Sequence, residues 1–193
     1  MTTSKLSANL KWIALVSIFG LVALMAGAVE GRVVTHANTV ARGKYLVEAI
    51  GCADCHTPLV MTERGPERDM KRSLSGHPSD MILPPAPVLP PGPWMFTASG
   101  TMTAWSGPWG TSFTANLTPD RETGLGAWTA DQFLATIRTQ RHMGIGRPLL
   151  PPMPAEIYAS MTDEDLRSIF AYLQSIPAVV NKVPEPLPPV ETR

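Results

Sequence analysis

Cysteine is nearly absent from this chain of 193 residues: there are two, Cys52 and Cys55. Two thiols cannot build a disulfide framework, and a structural zinc site needs four ligands, usually from two paired motifs. No second cysteine pair exists, and His36, His77 and His142 stand singly. Excess charge is absent too, with 16 Lys+Arg against 16 Asp+Glu. So weak a field argues against nucleic-acid binding and against strong long-range steering. Internal repeats are missing, and only one apolar run is long enough to matter for a membrane.

What is present begins with GCADCH, residues 51–56. A redox dithiol of the thioredoxin type belongs at the end of a strand in a βαβ pattern, whereas the residues before Cys52 read as helix. Positions i, i+3 and i+4 share one face of a helical turn. Cys52, Cys55 and His56 have that spacing. Two thiols for two vinyl groups and an imidazole for the iron are what covalent haem c attachment requires, and C-x-x-C-H is its spacing. A single such motif predicts one haem.

The apolar run WIALVSIFGLVALMAGAV, residues 12–29, holds 18 uncharged residues. As a helix it reaches about 27 Å, close to the hydrocarbon thickness of a bilayer. Ala26-Gly27-Ala28 is also a passable cleavage site, but the run length favours a retained anchor over residues 1–30. Lys5 and Lys11 precede the run, so the positive-inside rule exports the remainder. The expected location is the cytoplasmic membrane, single-pass, with the haem domain facing the periplasm. The exported part keeps 14 basic residues (16 less Lys5 and Lys11) against 16 acidic ones.

Three helices are expected around the haem. The first spans 39–51, with Asn38 as N-cap and Gly43, Leu46, Val47 and Ile50 on one buried face. The second starts at Thr129, where Thr129 and Gln132 have capping-box spacing and Trp128 staples Phe133; Gly144 is its expected stop. The third starts at Thr162, buries Leu166, Ile169, Phe170 and Leu173, and is ended by Pro177. Residues 178–193 read as a proline-rich, solvated tail. Residues 57–127 form an insertion too long for an ordinary loop. Its prolines at 83–93 forbid regular helix or central strand, and 94–117 suggests a small antiparallel hairpin.

The iron's sixth ligand separates electron transfer from small-molecule chemistry. Among ten methionines, Met153 in LLPPMPAE is flanked by Pro151, Pro152 and Pro154. These stiffen the backbone that would hold a weakly binding thioether. Met143, His77 and His142 are the competing ligands, and Arg147 is a candidate partner for a haem propionate.

GKYLVEAIGCADCHTP (43–58), LLPPMP (149–154) and MTDEDLRSIFAYLQSIP (161–177) together resemble the class I c-type cytochromes. The order matches that family's first helix with haem motif, Met-Pro ligand loop and closing helix. The resemblance implies a mainly α class I cytochrome c fold, with the long insertion as its departure and 31–177 as the domain. It implies Cys52 and Cys55 as haem thioethers, His56 as proximal ligand and Met153 as distal ligand. It places Gly43 and Tyr172 at the contact between first and last helices. The expected role is a one-electron carrier and not an enzyme, as a shuttle or a subunit of a larger redox complex. A quinol-oxidising complex or dehydrogenase would be donor, and a terminal oxidase or reaction centre acceptor. An open-site haem enzyme or gas sensor is the alternative.

Overall fold

A computed structural model describes residues 35–189; the expected membrane anchor and the leader before it lie outside them. Among the described residues, no helix is long and apolar enough to cross a membrane. Three longer helices carry the core: α1 (His36–Ala49), α3 (Ala130–Thr139) and α5 (Asp163–Leu173). Two short ones, α2 (Cys52–His56) and α4 (Ala155–Tyr158), lie between them in sequence.

Helix α1 begins earlier than expected. Its N-cap is Thr35, whose side chain accepts from the Asn38 amide, so Asn38 sits inside the first turn. Gly51, with φ of 74°, breaks the chain between α1 and α2; the left-handed region suits a residue without Cβ. Helix α3 has the predicted capping box, with Thr129 and Gln132 each accepting from the other's backbone amide. It stops well before Gly144, because Gln140 adopts a left-handed conformation that closes the last turn. A 3-10 turn, His142–Gly144, follows. Thr162 caps α5 as predicted, over a first turn of Asp163, Glu164 and Asp165.

The apolar faces of these helices meet in one core: Leu46 and Val47 from α1, Phe133, Leu134 and Ile137 from α3, and Leu166, Ile169, Phe170 and Leu173 from α5. Gly43 marks the closest approach. A Cβ built there would lie 1.9 Å from the Ser168 carbonyl oxygen and 2.8 Å from the Tyr172 Cβ. The glycine is a requirement of the α1–α5 crossing, and Tyr172 lies at that contact.

The insertion is folded, and carries more strand than expected. An antiparallel hairpin of β1 (Leu59–Thr62) and β2 (Gly65–Arg68) follows the haem motif. The hairpin predicted within 94–117 is a three-stranded antiparallel sheet, β3 (Thr97–Ala98), β4 (Ala104–Gly107) and β5 (Gly110–Phe113), in the order β3-β4-β5. The proline-rich stretch has no regular structure and leaves Ile82, Trp94 and Met95 exposed.

The tail reading is corrected. Residues 178–189 lie against the insertion instead of projecting into solvent. The Asn181 side chain is buried, donating to the carbonyls of Ser75 (2.7 Å) and His77 (2.9 Å) and accepting from the Ser79 amide (2.8 Å). Leu187 and Thr111 exchange backbone hydrogen bonds of 2.9 Å in both directions. Prolines exclude helix here but not an extended strap whose few amides and carbonyls find partners.

Candidate haem site

A cavity opens where α2, β5, α3, α4, α5 and the proline-rich loop converge. It is lined almost wholly by apolar side chains and holds about 1240 Å³ of empty space, its open mouth included. Cys52, Cys55, His56 and Met153 all line it. Residues separated by a hundred positions in the chain thus face one space.

Helix α2 does what the spacing requires. Its single turn presents both thiols and the imidazole to the same side. Cys52 and Cys55 are free, not joined in a disulfide. Burial pushes the Cys52 thiol up to about 11, and burial also raises Cys55. Reactive dithiols have lowered values that expose thiolate, the opposite direction to both of these thiols. Among the described residues, no group of three or more His, Cys, Asp or Glu is arranged to hold a metal ion.

His56 is buried, and its Nδ1 lies 2.7 Å from the Ala115 carbonyl oxygen. A carbonyl only accepts, so Nδ1 carries the proton and donates, leaving the Nε2 lone pair free for a metal. Burial lowers the imidazole's proton affinity, opposed by that hydrogen bond, and keeps the ring neutral. The carbonyl comes from the insertion just after β5. Composition gave no sign of it, because any residue type can supply a backbone oxygen.

The distal candidates separate by position. His77, one of the competing ligands, is wholly buried, with Nδ1 2.9 Å from Thr103 Oγ1 and Nε2 3.3 Å from the Met81 carbonyl oxygen. Both ring nitrogens are engaged away from the cavity. His142 packs edge-on against Trp128, and Met143 is part-exposed with φ of 52°. None of the three lines the cavity. Met153 does, and so does Met161, the residue before the α5 cap. Arg147 lines the rim, with Nε 3.9 Å from a Glu185 carboxylate oxygen.

Sequence reasoning missed Tyr158 and Ser112. Tyr158, on α4, lines the cavity and donates to the Ile50 carbonyl at 3.1 Å, tying α4 to the start of the haem motif. Ser112, on β5, also lines it and donates to the Pro151 carbonyl at 2.5 Å. The residues present fit a haem: an apolar slot, two thiols, a tautomer-fixed imidazole and a thioether share one cavity.

No family model matches the chain. Over 140 residues (72% of this chain, 22% of the relative) it is 29% identical to the fructose dehydrogenase cytochrome subunit of Gluconobacter japonicus. Over 133 residues (69% of this chain, 22% of the relative) it is 29% identical to the gluconate 2-dehydrogenase cytochrome c subunit of Pantoea cypripedii. Over 190 residues (96% and 32%) it is 26% identical to the cytochrome c subunit of the quinone alcohol dehydrogenase of Gluconobacter oxydans. The chain therefore spans between a fifth and a third of the length of these curated relatives. At this modest identity these relatives, named as cytochrome subunits, bear out the resemblance to c-type cytochromes, with haem c as the cofactor.

Proposed function

We propose that this chain is a membrane-anchored, monohaem electron carrier facing the periplasm, working as a subunit of, or docked to, a dehydrogenase complex. The observation that carries the reading is the shared apolar cavity of Cys52, Cys55, His56 and Met153. When bound, the haem supplies a one-electron ferric/ferrous couple. Cys52 and Cys55 hold it through thioethers to its two vinyl groups. His56 would bind the iron through Nε2, its ring oriented by the Ala115 carbonyl. Met153 would supply the iron's second protein ligand, leaving no site for a substrate and favouring the ferrous state. The apolar walls exclude water, and Arg147 at the rim offers a charge partner for a propionate.

The dehydrogenase cytochrome subunits among the relatives support a donor of that class, and a terminal oxidase or reaction centre is the acceptor class. Exposed apolar side chains along 82–96 favour a docked subunit over a free shuttle. The run at 12–29 supplies the anchor.

An optical spectrum of the purified protein, oxidised and reduced, with carbon monoxide added to the reduced form, tests the site. We expect one covalent haem by mass, a Met–iron charge-transfer band in the oxidised protein and no gas binding. Met153→Ala should abolish the band while Met161→Ala keeps it. Ready binding of the gas by the unaltered protein would instead mean an open site and would overturn the closed-carrier reading.

A further inference from the structure

The proline-rich loop that presents Met153 cannot hold itself. Four of the seven residues from 148 to 154 are proline and bring no N–H. Two of the remaining amides are bonded: Leu149 donates to the Gln140 carbonyl at 2.8 Å, and Met153 to the Leu150 carbonyl at 3.3 Å. Stiffness limits the loop's internal conformations, but it does not set the loop's distance from α2. Something outside the loop must supply a donor.

That donor is on the insertion. Ser112 is buried, and its Oγ lies 2.5 Å from the Pro151 carbonyl oxygen against 3.3 Å from that of Trp105. One hydroxyl proton serves one acceptor well, so the shorter contact takes it. The same oxygen accepts from Trp109 Nε1 at 3.3 Å. Three residues further along, the Ala115 carbonyl receives the His56 Nδ1 proton at 2.7 Å. A single stretch of the insertion, residues 112–115, thus reaches both the proximal imidazole and the distal loop.

We infer that Ser112 is a positioning residue for the sixth ligand, acting through the Pro151 carbonyl to hold the Met153 thioether over the iron. The inference rests on the reading of Met153 as that ligand. It gives the insertion a task within the site: residues 112–115 tie the loop that bears Met153 to the helix that bears His56.

The test uses the full-length, haem-loaded protein and reads the Met–iron charge-transfer band, gas binding by the ferrous form and the reduction potential. Ser112→Ala should weaken or abolish the band, admit carbon monoxide and lower the potential, while Ser112→Thr keeps the band. Thr111→Ala, on the same strand with its hydroxyl turned to Ser106, should leave all three unchanged. A full band and no gas binding in Ser112→Ala would overturn the inference. If that variant fails to fold, Ser112→Thr and Ser112→Val have nearly the same shape and differ in the hydroxyl. A band in Thr but not in Val supports the role, and equal bands overturn it. A band that survives Met153→Ala overturns the reading of Met153, and this inference with it.

Discussion

At Gly43 two effects compete, and their sizes decide the outcome. Alanine would gain up to about 1 kcal/mol of helix propensity over glycine. Its Cβ would also stand 1.9 Å from a backbone oxygen of Ser168 on α5. Overpacking of this kind costs about 1–3 kcal/mol, and a backbone neighbour cannot swing away. Gly43→Ala should therefore destabilise the protein by up to about 2 kcal/mol net, measured as a lower denaturant midpoint at unchanged slope. Single residues differ in how far they announce such roles. That Cys52, Cys55 and His56 face one cavity could be read from their spacing, because i, i+3 and i+4 share a helical face. Met153 stood out through its prolines. Ala115 and Ser112 did not, since one acts through a carbonyl every residue has, and the other is one hydroxyl in a stretch rich in Ser and Thr.

Among the elements, α1 and α5 are joined by an ion pair as well as by packing. Arg42 Nε lies 2.9 Å from Asp165 Oδ1. The hydrogen bond from Arg42, with its charge and a contribution from Thr162, holds the Asp165 carboxyl below its ordinary value against some opposing burial. A depressed carboxyl stabilises the fold above its unfolded pKa of about 3.9 and loses that contribution as pH falls through the lower folded value. Asp165→Asn should flatten the acid limb of a stability-against-pH curve below about pH 4, as acid titration of the unfolding midpoint would show. An equally steep limb in the variant would assign the acid sensitivity elsewhere. Helices were the most legible elements, because capping chemistry at Thr129 and Thr162 is local. The start of α1 was misjudged by three residues, since Thr35 and Asn38 are both good caps and only tertiary packing chooses. The sheet was under-read because β3 has two residues, too few for an alternating pattern.

Over the whole molecule, the tail holds the insertion and the insertion holds the site. Asn181 reaches back across a hundred positions to Ser75, His77 and Ser79. The Asn116 side chain returns the contact by donating to the Val179 carbonyl at 2.8 Å. Asn181→Ala would strand three backbone groups, two of them on residues with no exposed surface. We expect a loss of about 2–3 kcal/mol in a denaturant melt, together with faster proteolysis near 75–81; a change within about 0.5 kcal/mol would mean the strap is dispensable. Sequence alone hid this because proline-rich ends usually remain in water, and a single asparagine carries no pattern. The strap also fixes an order of assembly. A polypeptide is made from its amino end, so Cys52, Cys55 and His56 emerge well before Val179, Asn181 and Leu187. The wall of the haem pocket that bears Ser112 and Ala115 is fastened by those late residues, so we expect the thiols to stay accessible until the strap is in place.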